Sequence, residues 1–108
     1  NKEIVCVFQP HRISRVMSLK KEFSKCFKKA DTVLLCPIYT ANEKLRLNFT
    51  YYSFAKLIIK NSNVKLIQVD HELQLRKFIK QNVFGKKIYI GMGAGSISNW
   101  MKNLENIF

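Results

Sequence analysis

The fold is decided between residues 4 and 15, which read Ile4-Val5-Cys6-Val7-Phe8-Gln9-Pro10-His11-Arg12-Ile13-Ser14-Arg15. Five consecutive apolar residues, Ile4 to Phe8, several of them β-branched, describe a strand buried on both faces. Pro10 locks one backbone dihedral and stiffens the exit from that strand. Ser14 is the expected N-cap of a helix running to about Lys29. Along it Val16, Leu19, Phe23, Cys26 and Phe27 recur at helical spacing, while Lys20, Lys21, Lys25, Lys28 and Lys29 point elsewhere. A buried strand followed at once by an amphipathic helix is the first half of a βαβ unit.

Working outward, the pattern repeats. Ala30-Asp31 ends the helix, and Thr32 to Cys36 reads as a second buried strand stopped by Pro37. Ile38 to Asn48 is less regular. Leu45, Leu47 and Phe49 alternate there with polar residues, a pattern that fits a short edge strand, antiparallel or otherwise. Tyr51 to Asn61 is a helix with Phe54, Leu57 and Ile58 inward, and Lys65 to Val69 is a third strand. Glu72 to Asn82 is a third helix carrying Leu75, Phe78 and Ile79, punctuated by Gly85. Lys87 to Ile90 is a fourth strand that runs into Gly91-Met92-Gly93-Ala94-Gly95. Ser96 then caps a last helix with Ile97, Trp100, Met101 and Leu104 on one side. Strands alternating with helices across short connections imply right-handed crossovers and a mainly parallel sheet covered on both faces. The expected fold is a three-layer, Rossmann-like α/β domain.

Composition agrees and excludes other classes. The 108 residues carry 19 Lys plus Arg against 7 Asp plus Glu, a formal net charge of +12, and 47% are hydrophobic. That is one domain with enough apolar residues for its own core. Four Gly and two Pro rule out collagen-like and low-complexity chains. No apolar run approaches the ~18 residues of a membrane span, so no membrane partner is expected. The start at Asn1, already in a strand by Ile4, leads to the expectation of a piece of a longer polypeptide without a targeting segment. Cys6, Cys26 and Cys36 form no C-x-x-C pair, and their apolar neighbours suggest buried free thiols in a reducing cytoplasm.

Ligands of open parallel sheets bind beyond the carboxyl ends of the strands. Four loops qualify: 9–15, 37–44, 70–72 and 91–98. The first places His11, Arg12 and Arg15 at a helix N-terminus, where cations are unfavourable for the helix dipole unless an anion is held between them. A carboxylate or phosphate would accept bidentate arginine contacts there. The alternative is that the arginines are solvated or pair with Glu43 or Asp70. In the last loop, Gly91-x-Gly93-Ala94-Gly95 either lets a small polar ligand approach the backbone or makes a tight strand-to-helix turn. Its third glycine comes one residue too early for a G-x-G-x-x-G fingerprint, and no βαβ unit follows it, which argues against a dinucleotide. His71 reads as a cap or surface residue, and Trp100 and Met101 as packing.

Three segments together resemble the alanine-adding branch of the Mur ligase family. Phe8-Gln9-Pro10-His11-Arg12-Ile13-Ser14-Arg15 is similar to its F-Q-P-H-R-Y-[ST]-R stretch, Tyr39-Thr40-Ala41-Asn42-Glu43 to its Y-x-A-G-E element, and Gly91 to Ile97 to its M-G-A-G-[DN]-I turn. They arrive in the family's order, each after a strand. The resemblance implies a C-terminal, amino-acid-binding domain covering 1–108, with UDP-sugar and central ATPase domains outside this chain. The activity implied is the ATP-dependent joining of L-alanine to UDP-N-acetylmuramic acid for peptidoglycan, in the cytoplasm. His11, Arg12 and Arg15 match positions facing the amino-acid carboxylate; Tyr39, Glu43, Gly93, Ala94 and Gly95 match positions lining the same pocket. ATP and Mg²⁺ would be bound mainly by the other domains. No cofactor, metal site or catalytic residue is therefore expected within this chain, and alone it should not turn over. Ile13, Pro37, Asn42 and Ser96 depart from the family's usual residues, and the acceptor stays open among alanine, glycine and serine.

The rival reading is a small basic nucleic-acid-binding α/β module. Against it, Lys outnumbers Arg 15 to 4, many lysines fall on outer helix faces, and the element order is not that of an RRM. No nucleic-acid partner is expected.

Overall fold

The computed structural model describes residues 2–38, 51–82, 85–93 and 96–104. Among them lie four strands and four helices: β1 (Glu3–Gln9), α1 (Ile13–Ser24), β2 (Thr32–Leu35), α2 (Tyr51–Ser62), β3 (Lys65–Gln68), α3 (Glu72–Gln81), β4 (Lys87–Gly93) and α4 (Ile97–Asn103). The sheet order is β3-β2-β1-β4, and every pairing is parallel. The alternation at 45–49 that suggested an edge strand falls outside the described residues.

Burial follows position in the sheet. β1 and β2 are central, and Val5 to Gln9 and all of β2 are buried. β3 and β4 are edges, so their residues are only partly covered. Even-numbered residues of β1 point to one face, where Cys6 and Phe8 meet Val16 and Phe27 from α1 and its exit turn, and Phe54, Ala55 and Ile58 from α2. Phe8 sits between Phe27 and Phe23, with ring centroids 5.1 and 6.0 Å away. The odd-numbered Val5 and Val7 point to the other face, against Leu75 and Ile79 of α3 and Ile97 and Leu104 of α4. Each fully buried Leu, Ile or Phe in these layers contributes about 1.5–3 kcal/mol. Trp100 and Met101 are half-buried against the second layer, as their spacing suggested.

Three local boundaries differ from the sequence reading. α1 ends at Ser24, five residues short of Lys29, because the chain exchanges helical bonds for contacts with α2. Ser62 donates its hydroxyl to the Ser24 carbonyl and accepts from the Phe27 N–H at 3.2 Å, while Asn61 donates to Ser24 Oγ at 2.7 Å. The turn that follows leaves Cys26 exposed, unlike Cys6 and Cys36, which are buried free thiols. The N-cap of α1 is Arg12 and not Ser14. Finally, β4 continues through Gly91 and Met92 to Gly93, which pair with Val7, Phe8 and Gln9. The start of the glycine corner is thus strand and not loop. No helix is long and apolar enough to cross a membrane among the described residues.

Candidate functional site

Gln9 organises the carboxyl end of the sheet, a role that reading the sequence missed. It is 4% exposed at the end of β1. Its Nε2 donates to the Pro37 carbonyl and to Ser96 Oγ, both at 3.1 Å, and its Oε1 accepts the Ile97 N–H at 3.0 Å. One side chain therefore joins the exits of β1 and β2 to the start of α4. Ser96 sits at the N-cap of α4 but makes no side-chain capping bond; Gln9 supplies the acceptor instead. The available signal was a polar residue directly continuing an apolar buried strand, since a buried amide must find partners.

Beside Gln9 the two outer loops meet. Gly93 has φ +134°, and a Cβ there would collide with the carbonyl oxygen of Gln9. Its glycine identity is thus explained by the close approach of β4 to β1. Gly91 is glycine for a related reason: a Cβ would lie 2.7 Å from Met101 Cγ, so α4 packs directly on the strand.

The loop after β1 rises over this corner. Arg12 has φ 64° and ψ 129°, a conformation that L side chains seldom adopt and that costs roughly 1–3 kcal/mol. Its carbonyl accepts the first helical bond of α1, from the Val16 N–H at 3.1 Å. The Arg12 side chain does not cap α1 and no acidic residue occupies the first turn, so the positive end of the helix lies beside Arg12 and Arg15. Among the described residues, neither Arg12 nor Arg15 forms an ion pair with Asp70.

A cavity of about 290 Å³ opens here, lined by Phe8, Gln9, His11, Arg15, Phe23, Met92 and Gly93. Its floor is apolar, with the cationic loop on one side and the glycine strand on the other. Of the residues singled out from the sequence, His11, Arg15 and Gly93 share this cavity. Arg12 does not line it, and its side chain is exposed. Tyr39, Glu43, Ala94 and Gly95 lie outside the described residues, as does Asn42, and for Ile13 only the backbone is described. A second recess of about 220 Å³, on the opposite face, is lined by Gly91, Gly93, Ile97, Ser98 and Met101. His71 is exposed and starts α3 without a side-chain cap. Among the described residues no three His, Cys, Asp or Glu could together hold a metal ion, and nothing in them forms a phosphate loop.

These features define a Rossmann-like α/β domain whose crevice lies beyond the carboxyl ends of its parallel strands. No family model matches the chain. Over 107 residues it is 62% identical to the UDP-N-acetylmuramate–L-alanine ligase of Pelagibacter ubique, covering 99% of this chain and 23% of that protein. It is 34% identical to the ligase of the same name from Prochlorococcus marinus, over 98% of this chain and 22% of that protein. It is also 33% identical to the bifunctional enzyme MurC/Ddl of Chlamydia trachomatis, over 97% of this chain and 13% of that protein. The chain is thus a relative of the UDP-N-acetylmuramate–L-alanine ligases, and it spans less than a quarter of their length.

Proposed function

We propose that this chain is the C-terminal, amino-acid-binding domain of a cytoplasmic, ATP-dependent ligase that joins L-alanine to UDP-N-acetylmuramic acid in peptidoglycan synthesis. The observation that carries the reading is the 62% identity running through the whole chain, together with a cavity where His11 and Arg15 face Gly93 across an apolar floor. In this reading Arg15 binds the carboxylate of the incoming amino acid by charge-assisted hydrogen bonds. Arg12 joins it from the crest of the loop, and His11 orients or donates. The family resemblance assigns Tyr39, Glu43, Gly93, Ala94 and Gly95 to the same pocket.

ATP and Mg²⁺ are assigned mainly to the sugar-binding and ATPase domains that the family resemblance places outside this chain. The contribution of the present domain is positional. Holding the amine beside an activated carboxyl replaces a bimolecular encounter by an oriented one, and docking of the domain excludes water. The isolated chain should therefore not turn over.

The test is Arg15→Ala in the full-length ligase. The expected result is a rise in the L-alanine KM or a fall in kcat of at least tenfold, with ATP binding nearly unchanged. Unaltered alanine kinetics would remove Arg15 from the site.

A further inference from the structure

Gln9 is held from three directions. Its main chain is the last rung of the β1–β4 ladder, opposite Gly93. Its Nε2 donates to the Pro37 carbonyl at the exit of β2 and to Ser96 Oγ, and its Oε1 accepts the Ile97 N–H. These partners fix the amide in one orientation. Turned over, it would set its N–H₂ against the Ile97 N–H and its oxygen against the Pro37 carbonyl. A buried side chain satisfied in only one orientation is a rigid anchor.

The residues that follow inherit their position from that anchor. Pro10 restricts the backbone at once, so the placement of Gln9 passes to His11 with little slack. Arg12 keeps φ 64° and ψ 129°, and a non-glycine residue persists in that region only where its surroundings over-determine it. α1 begins at Ile13, and Arg15 lies in its first turn. Across the cavity from His11 and Arg15 stands Gly93, the residue paired with Gln9. The gap between the basic loop and the glycine strand is therefore set at residue 9.

We propose that Gln9 is a positioning residue for the amino-acid carboxylate. Its anchored amide fixes the exit of β1, and so holds His11 and Arg15 at their working distance from Gly93. It acts through Arg15 and need not touch the ligand. The inference rests on the reading of this cavity as the carboxylate site. Charge-assisted hydrogen bonds are short and directional, so a small displacement of the guanidinium weakens them.

The test is a double-mutant cycle in the full-length ligase, at a temperature where urea denaturation shows every variant folded. Gln9→Met keeps the length of the side chain and removes its hydrogen bonds. The expected result is a rise of about tenfold in the L-alanine KM, with the ATP KM within about twofold of the parent. In an Arg15→Ala background the same substitution is expected to raise the alanine KM by less than about threefold, because residues that act through one another are not additive. Gln9→Asn, which shortens the same amide, is expected to behave alike and carries the test if Gln9→Met does not fold. Val64→Ala, in a buried residue just before β3, controls for lost stability and is expected to leave the alanine KM unchanged. A parental alanine KM in both Gln9 variants would overturn the proposal. So would a tenfold rise that persists undiminished without Arg15, or an equal rise in Val64→Ala, since either marks a merely structural effect. Normal alanine kinetics in Arg15→Ala alone would refute the underlying reading of the cavity instead, which keeps the two failures apart.

Discussion

Replacing Gln9 by Leu keeps the approximate volume of a buried side chain and removes its polar end. The Ile97 N–H loses its acceptor, and because Ile97 is 2% exposed, water does not replace it. Stranding that donor costs about 1–3 kcal/mol, and the two lost donations to Pro37 and Ser96 are worth about 1 kcal/mol each. Both of those partners are half-buried and regain some hydration, and the leucine gains from burial. The net loss is therefore about 2–3 kcal/mol, or roughly 10 °C in Tm for a domain of this size. Gln9→Glu separates the two halves of the amide. It preserves an acceptor at the start of α4 but turns a carboxylate oxygen toward the Pro37 carbonyl. That variant should be destabilised at neutral pH and recover as acidification protonates the buried carboxyl. Urea denaturation followed by the fluorescence of Trp100, which packs beside Ile97 and Leu104, measures both. A Gln9→Leu chain within about 0.5 kcal/mol of the parent at unchanged m would refute the argument that this side chain holds the crevice together.

Gly93→Ala should cost about 3 kcal/mol or more, since φ +134° and the Gln9 carbonyl both oppose a Cβ. Gly85→Ala should cost only about 1 kcal/mol, because φ is +82° there but nothing lies within 4 Å; equal losses in denaturation would defeat the steric argument. Of the three thiols, Cys26 should react with an aromatic disulfide reagent at once and Cys6 and Cys36 only on unfolding; three fast thiols in the native chain would contradict the burial. Burial pushes the Cys36 thiol up from 9.0 to about 12, so the folded state holds that proton more tightly than the unfolded one. The resulting stability is complete below pH 9 and disappears between pH 9 and 12, by up to about 1.4 kcal/mol per pH unit. Denaturation at pH 8 and 10.5 should show the loss, and Cys36→Ala should reduce it, leaving the part due to Cys6 and Tyr89, which burial also pushes up. An identical slope in the variant would exclude Cys36 as the cause.

What the linear sequence determined is the list of elements and their class. The run Ile4 to Phe8, the helical spacing of Val16, Phe23 and Phe27, and the repeats of that alternation are local patterns, and local patterns set strand or helix wherever one face must be buried. The basic loop was legible for the same reason, as His11, Arg12 and Arg15 within one strand-to-helix turn. Tertiary structure decided everything that depends on partners distant in the chain. α1 stops at Ser24 because Ser62, 38 residues later, engages its carbonyl. Gly93 belongs to a strand because Gln9, 84 positions earlier, pairs with it, and Cys26 faces solvent because the helix has already ended. Ile88 and Ile90 are exposed because strand order makes β4 an edge among the described residues, and no periodicity within residues 87–93 encodes its place in the sheet. Hydrogen bonds and close packing between remote segments have no local signature, so these features became visible only when the sheet was assembled.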